Sequence, residues 1–251
     1  MLFSVYCLLF QRRKDVKLDV LAIAAHRDDA EITYGGTLIK LVDSGYKVGI
    51  VDLTQGEMGT RGSARIRGIE AKCAAKMMGI QVRENLKLPD SRVELTRMNK
   101  IKLVKILRKY KPHLVILPHW IQRHPDHANC SKLGYDACYL AGLAKLKVPG
   151  EPHRPYKIIY STSFREVACS FVVDITEQLE KKLQVVACYR SQFRGMKGRK
   201  DVMIPGMDVF DFMRIRAAYY GSLIGVRYGE AFMVKETMAV QDPMKLLGRS
   251  I

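Results

Sequence analysis

Histidine and aspartate side chains are concentrated in two short segments of the chain. The first is HRDD at residues 26–29, and the second is HPDH at residues 124–127. Two neutral imidazoles and one carboxylate form a ligand set that suits Zn²⁺ and leaves a fourth coordination position for water. Such a water is acidified toward neutral pH, and a second carboxylate beside the metal can accept its proton. The pair of segments therefore indicates a metal-dependent hydrolytic site.

Each segment also has the composition of a helix start. Asp29 or Asp126 in a first turn interacts favourably with the helix dipole, and Pro125 suits the first helical position. Taken singly, neither segment decides between a helix start and a catalytic loop. Their position in the predicted fold, at the ends of two strands, favours the catalytic interpretation.

The elements that position these segments follow from the hydrophobic pattern. Apolar runs alternate with amphipathic segments, and continuous apolar runs are typical of parallel strands covered by helices. Gly45 and Gly79 are placed to end two of the helices, and Ser63 is suited to cap the second one. We predict strands over residues 18–25, 47–54, 84–88 and 113–118, and helices over residues 30–44, 63–78, 94–110 and 126–145.

The second half of the chain is less regular. It contains predicted strands at 157–162, 170–174 and 231–235, and predicted helices at 176–192 and 208–222 that are separated by a basic, glycine-containing loop. The predicted fold class is α/β, with a Rossmann-like, mainly parallel sheet, helices on both faces and an elaborated C-terminal part. Ligands of open parallel sheets bind outside the carboxyl ends of the strands. We therefore expect both histidine segments at the same edge of the sheet.

Length and charge limit the classes of function. The chain has 251 residues, 48% of them hydrophobic, and a formal net charge of +17. We predict a single α/β domain over residues 16–251, preceded by a flexible extension over residues 1–15. The charge is compatible with nucleic acid, an anionic membrane surface or a small anionic substrate. Lysine and arginine are spread along the chain without a basic helix interleaved with aromatic residues, which argues against a nucleic-acid partner.

The remaining composition favours a cytoplasmic protein. No window reaches the roughly 20 apolar residues that a membrane span needs, so no membrane partner is expected. The six cysteines are scattered without a CxxC pair, which is typical of reduced thiols. The first residues place an apolar run before positive charges, which is the reverse of the order in a signal peptide.

Further segments occur in the order seen in a known family. The chain contains GGT at 35–37, TRG at 60–62, YRSQ at 189–192 and GVRYGEAF at 225–232. Together with the two histidine segments, they make the sequence resemble the PIG-L/LmbE-like family of zinc-dependent N-acetylglucosaminide deacetylases. The later segments most resemble the branch that deacetylates N-acetylglucosaminyl-malate in bacillithiol biosynthesis.

The resemblance implies roles for the residues of the histidine segments. His26, Asp29 and His127 would bind the zinc ion. Asp28 would be the general base, and His124 would stabilise the oxyanion or protonate the leaving group. A zinc-activated water would attack the acetamide and release acetate and a free amine. Fe²⁺ or Co²⁺ could also occupy a site of two histidines and one carboxylate.

Four further residues are candidates for the same site. Asp126 would either hold the orientation of a histidine or simply begin a helix. Arg61 would bind the malate carboxylate through its guanidinium fork, and Arg123 is a second candidate for substrate binding. Tyr189 would line the substrate site or pack in the core.

Arg27 departs from the family pattern, which has proline or a small residue at this position. An arginine beside Asp28 could pair with it and lower its basicity. Neighbouring side chains in an extended segment diverge. We therefore expect Arg27 to point away from Asp28 and to cover the surface.

The expected function is removal of acetate from an N-acetylglucosamine conjugate, with the malate glycoside as substrate. The resemblance also implies a homo-oligomer. Another conjugate, such as an inositol glycoside or a chitin-derived sugar, is an alternative substrate. A non-catalytic basic binding protein for nucleic acid or anionic sugars is the alternative of a different class.

Overall fold

The structure is a computed structural model that describes residues 16–162, 167–193 and 207–245. The predicted extension over residues 1–15 and the basic loop over residues 194–206 lie outside the described residues. Every strand and helix that the sequence predicts has a counterpart within the described ranges.

The described residues form seven strands and seven helices, which alternate over the first half of the chain. No helix among them combines the length and the apolar character that crossing a bilayer requires. The strands are β1 (Val20–Ala24), β2 (Val48–Thr54), β3 (Val82–Leu88), β4 (Leu114–Pro118), β5 (Lys157–Ser161), β6 (Phe171–Asp174) and β7 (Gly229–Met233). The helices are α1 (Asp29–Asp43), α2 (Ala64–Met78), α3 (Arg97–Tyr110), α4 (Pro125–Ala141), α5 (Leu179–Val186), α6 (Arg190–Phe193) and α7 (Val209–Ser222).

The strands of the described residues form one sheet with the order β3-β2-β1-β4-β5-β7-β6. Strands β1 to β5 are parallel, whereas β7 is antiparallel to both of its neighbours. This confirms the mainly parallel sheet with an elaborated C-terminal part. Val20 of β1 lies opposite Val48 on one side and Leu114 on the other. The strand order reverses between β1 and β4, which is the switch point where open α/β sheets bind ligands.

Helices cover both faces of the sheet, as predicted. Leu21 and Ile23 of β1 face a core shared with α3 and α4. Val20, Ala22 and Ala24 face the core shared with α1, α2 and α5, because successive side chains of a strand point to opposite faces. A central strand that is buried on both faces needs a continuous apolar run, which explains its sequence.

The helix ends agree with the sequence at α2 and differ elsewhere. Ser63 caps α2 through its side chain, and Gly79 ends the helix in the left-handed conformation with φ +78°. The helix predicted over 94–110 begins later, because the Thr96 hydroxyl accepts a backbone hydrogen bond and acts as the cap. The helix predicted over 176–192 is divided into α5 and α6 by a short turn.

The buried carboxylate of Glu230 connects β7 to α1 and α5, and it accounts for Gly36 and Thr37 of the GGT segment. The helix α1 is kinked at Tyr34, with φ −142° and ψ 25°. The Glu230 carboxylate accepts hydrogen bonds from the N–H groups of Gly36 (3.0 Å) and Thr37 (2.7 Å) after the kink, and it pairs with Lys182 Nζ at 2.7 Å. A Cβ at Gly36 would lie 2.8 Å from Ile175 Cδ1 and 3.1 Å from Glu230 Oε1, so glycine permits the close approach of both side chains.

We expect Glu230→Gln to lower the free energy of unfolding by about 3–5 kcal/mol, because Lys182 would keep its charge in the core without a partner. Both side chains are 4% exposed, so water cannot replace the lost carboxylate. Urea unfolding of the two proteins measures the difference. The double variant Lys182→Met/Glu230→Gln should recover most of the loss. Wild-type stability of the single variant would contradict this role of the pair.

Candidate active site

The two histidine segments meet at the switch point of the sheet. HRDD follows β1, HPDH begins α4 after β4, and β1 and β4 are hydrogen-bonded neighbours. His26 Nδ1 lies 3.2 Å from His127 Nε2 and 3.3 Å from Asp29 Oδ2. His127 Nε2 and Asp29 Oδ2 are 3.2 Å apart. The structure thus brings together the three side chains that were expected to bind a metal.

The triangle of these three atoms has the dimensions of a metal site. Ligands of a tetrahedral zinc ion lie roughly 3.3 Å apart when the bonds are about 2.0–2.1 Å long. The three edges of 3.2, 3.3 and 3.2 Å agree with that separation. Two imidazole nitrogens and one carboxylate oxygen also suit divalent zinc, iron or cobalt. The residues present therefore fit a divalent metal ion.

A second group of donor atoms lies close by but is committed to other contacts. His26, His124 and Asp126 offer ligand atoms within 4.8 Å of one another. The Asp126 carboxylate already accepts the N–H groups of Ser91 (2.7 Å) and Val93 (3.1 Å), and His124 Nδ1 accepts the Asp126 N–H. The first group therefore fits a divalent metal ion better, because its three facing atoms are only 3.2–3.3 Å apart.

The charges around His26 stabilise a cation. Burial lowers the pKa of His26, but the carboxylates of Asp29, Asp126 and Asp90 outweigh burial and raise the pKa to about 12. Burial also disfavours the charged form of Asp29, yet the imidazoles of His127 and His26 keep the pKa of Asp29 well below its usual value. Such a balance of charge favours any bound cation, whether a proton or a metal ion.

Asp90 orients His26, and sequence reasoning missed it. Asp90 Oδ1 lies 3.0 Å from His26 Nε2, so the Nε2–H donates to Asp90 when Nδ1 is directed to a metal. Asp126 was considered for this task, but it lies 3.6 Å from the same nitrogen and mainly anchors the loop after β3. The signal for Asp90 is its position directly after β3, at the same edge of the sheet.

Arg67 pairs with Asp28 and was also missed. Arg67 Nη2 donates to Asp28 Oδ1 at 3.0 Å, and Nη1 donates to the Gly56 carbonyl at 2.9 Å. Gly56 has φ +71°, and a Cβ there would collide with Nη1, so this turn requires glycine. Asp28 lines the cavity, and its second oxygen accepts no hydrogen bond from the described residues. That oxygen is placed to accept a proton.

His124 caps α4 and lines the cavity beside the three potential metal ligands. Its Nδ1 accepts the Asp126 N–H at 3.1 Å, so the proton of the neutral ring is on Nε2. Burial and the imidazoles of His26 and His127 lower the pKa of His124, which keeps the ring neutral near pH 7. A neutral ring with Nε2–H can donate to a carbonyl oxygen that gains negative charge.

A cavity of about 360 Å³ opens at this cluster and falls within the size range of small-molecule sites. Arg61 and Arg123, the two arginines expected to bind substrate, both line it. Arg61 is tied to α6, since its Nη1 lies 3.4 Å from the Gln192 carbonyl oxygen and the Gln192 amide donates to the Arg61 carbonyl at 2.7 Å. The cavity therefore joins the cluster of potential metal ligands to two arginine side chains.

Tyr189 packs in the core, which is the second of the two positions predicted for it, and it does not line the cavity. It is fully buried, and its hydroxyl contacts the Glu31 carboxylate (2.7 Å) and the Arg27 carbonyl oxygen. Arg83 donates to the same carbonyl and pairs with Asp52 at 2.9 Å. These buried side chains hold the backbone of the HRDD segment, so Tyr189 acts on the site by fixing this loop.

Arg27 points away from Asp28 but does not cover the surface. Its side chain lies in a separate cleft beside α2 and is 9% exposed. A Cβ at Gly68 would lie 3.1 Å from Arg27 Nη1, so the glycine lets the guanidinium lie against the helix. The expectation that Arg27 lies at the surface is therefore wrong. Gly68 has no side chain, and the Arg27 guanidinium occupies the space that this leaves beside α2.

The PIG-L family, described as GlcNAc-PI de-N-acetylase, matches residues 21–138 of the chain. Diacetylchitobiose deacetylase of Thermococcus kodakarensis is 33% identical over 232 residues, which cover 86% of this chain and 82% of that protein. A solved structure of a conserved protein from Thermus thermophilus has a TM-score of 0.81 and 34% identity, covering 89% of this chain and 98% of the other. N,N′-diacetylchitobiose deacetylase from Pyrococcus horikoshii, solved with its inhibitor, has a TM-score of 0.75 and 32% identity, covering 85% and 82%.

The matched region contains all the potential metal ligands of the cavity. Residues 21–138 include both histidine segments, Arg67 and Asp90. The relatives at 32–34% identity extend the similarity to most of the chain. The chain belongs to the PIG-L family, as the resemblance of its motifs implies.

Proposed function

We propose that the protein is a zinc-dependent deacetylase that removes acetate from an N-acetylglucosamine conjugate. The observation that carries the proposal is the triangle of His26, Asp29 and His127, which has Asp28 and His124 beside it in one cavity. A metal site with a separate base and a separate hydrogen-bond donor is suited to hydrolysis of an amide. Membership of the PIG-L family supports the same reaction.

Each residue of the cavity has a defined part in this reaction. A bound zinc ion would polarise the acetamide carbonyl and increase the acidity of a water molecule. Asp28 accepts the proton of the attacking water through the oxygen that Arg67 does not occupy, while Arg67 holds the carboxylate in place. His124 donates its Nε2–H to the carbonyl oxygen as negative charge develops. Asp28 then returns the proton to the departing amine, so that acetate and an amino sugar are released.

We further propose N-acetylglucosaminyl-malate as the substrate. The guanidinium groups of Arg61 and Arg123 present planar forks that complement a carboxylate. The formal charge of +17 also attracts a small anionic conjugate. A chitin-derived sugar is the second candidate, favoured by the 32–33% identity to two diacetylchitobiose deacetylases.

A comparison of three substrates tests the proposal. Release of free amine is measured with N-acetylglucosaminyl-malate, N,N′-diacetylchitobiose and an N-acetylglucosaminyl-inositol under the same conditions. We expect kcat/KM to be at least about tenfold higher for the malate conjugate, because the neutral sugars offer no carboxylate to the guanidinium groups of the cavity. Preference for chitobiose, or equal and feeble rates on all three, would reject malate. Failure to release amine from any substrate would favour the non-catalytic binding protein.

The same assay with Arg61→Gln identifies the residue responsible. We expect the KM for the malate conjugate to rise by about tenfold and that for chitobiose to change less, since only the former loses a charged partner. Arg97→Gln is the matched control, because Arg97 is an exposed arginine that does not line the cavity. Equal effects of the two substitutions would reject Arg61 as the carboxylate ligand.

A further inference from the structure

Among the described residues, Arg27 is a buried cation without a counter-ion of its own. Its side chain is 9% exposed, and within the described ranges Nη1 donates to the Ala64 carbonyl while the guanidinium forms no salt bridge. A guanidinium carries five N–H donors in a planar fork, so most of them remain available. Burying an unpaired charge costs free energy unless a ligand or solvent satisfies it.

The carboxylates near Arg27 are committed to other cations. Asp52 pairs with Arg83 at 2.9 Å, and Glu84 pairs with Lys109 at 2.7 Å. Burial lowers the pKa of Arg27, and the charge of Arg83 lowers it further against an opposing attraction from Asp52. Within the part of the chain that the structure describes, the carboxylates near Arg27 are therefore already paired with other cations.

The cleft around Arg27 receives further positive charge from one face of α2. Arg65, Gly68 and Lys72 follow one another at spacings of three and four residues, and all of them line the cleft. Arg65 and Lys72 are exposed and form no salt bridge within the described ranges. The cleft has a volume of about 610 Å³ and shares no lining residue with the catalytic cavity. It is a second, basic site behind the HRDD segment.

We propose that this cleft binds a phosphate group between Arg27, Arg65 and Lys72. The fork of Arg27 supplies paired donors for two phosphate oxygens, and the other two side chains supply further positive charge. Three cations suit the charge of almost −2 on a phosphate monoester or inorganic phosphate better than that of a single carboxylate. The volume of the cleft admits a phosphorylated small molecule as well as the free ion.

A bound phosphate would be coupled to the catalytic cavity through α2. This helix carries Arg65 and Lys72 toward the cleft and Arg67 toward Asp28. A ligand shared by α2 and Arg27 holds the helix against the HRDD segment. Because the ligand binds the folded state, phosphate should raise the temperature of unfolding as its concentration increases.

Isothermal titration calorimetry of the metal-loaded protein with inorganic phosphate and with glycerol phosphate tests the proposal. The His127→Ala variant is titrated in parallel, so that phosphate bound at the metal is not counted. We expect cleft binding to persist in His127→Ala, and Arg65→Ala/Lys72→Ala to weaken it by about tenfold or more. Tighter binding of glycerol phosphate would identify a phosphorylated metabolite as the ligand, and tighter binding of inorganic phosphate would identify the free ion.

Two control variants make the result specific. Lys47→Ala/Lys76→Ala removes the same charge from exposed lysines outside the cleft and should leave the affinity unchanged. Arg65→Ala/Lys72→Ala should release amine at the wild-type rate in phosphate-free buffer, which separates this proposal from the proposed function. Absence of phosphate binding in His127→Ala, unchanged binding in Arg65→Ala/Lys72→Ala, or equal losses in the two double variants would overturn the proposal.

Discussion

Asp28→Asn is expected to keep the metal and the fold while lowering kcat by about 10²–10⁴-fold. The amide oxygen of asparagine can still accept the hydrogen bond of Arg67, so the loop keeps its anchor. The amide cannot take a proton from water, because its oxygen is far less basic than a carboxylate. Amine release and metal content, measured on the same preparation, separate loss of the base from loss of the site.

The control for this substitution is Asp43→Asn at the exposed end of α1. Asp43 contacts Lys181 at 3.5 Å on the surface and lies outside the cavity, so its variant should have wild-type activity. A nearly wild-type rate for Asp28→Asn would remove Asp28 from the role of base. The proton would then have to pass to another group of the cavity, such as His124.

His127→Ala is expected to abolish both stable metal binding and turnover. The substitution removes one corner of the triangle, and the remaining His26 and Asp29 leave a tetrahedral ion with two protein ligands. Metal analysis after dialysis should fall from about one ion per chain to a small fraction of that value. Amine release should decrease in parallel with metal content, because turnover depends on the bound ion.

The matched control for this variant is His113→Ala. His113 is exposed and stacks on Tyr156 at the opposite end of β4 from the metal cluster, before that strand begins. Its removal should leave both metal content and rate unchanged. Full metal occupancy in His127→Ala would indicate that the metal binds instead to the second donor group, which contains His124 and Asp126.

The position of the site can be predicted from the sequence because the signals that mark it are local. The apolar runs of β1 and β4 are recognisable without tertiary information, and each is followed within a few residues by a histidine segment. Parallel strands present their carboxyl ends at one edge, so the common edge follows from the pattern. That β1 and β4 are direct neighbours does not follow, because strand order depends on long crossovers that leave no local mark.

The residues that contact Asp28 and His26 could not be predicted from the sequence. Arg67 is one of several basic residues on α2, and only the folded structure shows that its guanidinium contacts Asp28 and the Gly56 carbonyl. Asp90 follows β3, whose neighbour is β2, and it reaches His26 across the edge of the sheet. Arg67 and Asp28 are separated by 39 positions in the sequence, and Asp90 and His26 by 64. A single sequence carries no signal of such distant pairing.

Burial decided between the two positions predicted for Tyr189 and overturned the one predicted for Arg27. Tyr189 was expected to line the substrate site or the core, and Arg27 was expected at the surface. Tyr189 is enclosed with Glu31 and Arg83 beneath the HRDD segment, where a buried hydroxyl needs a polar partner. Arg27 diverges from Asp28 as the geometry of an extended segment requires, but Gly68 opens a cleft that buries it.

The most direct test of the account is removal and return of the metal. The protein is stripped with a chelator, and amine release from the preferred substrate is measured as zinc is added in steps. We expect a background rate for the stripped protein and a linear recovery that reaches its plateau at about one ion per chain. Full turnover by stripped protein that metal analysis finds free of zinc, iron and cobalt would contradict the assignment of His26, Asp29 and His127 to a catalytic metal site.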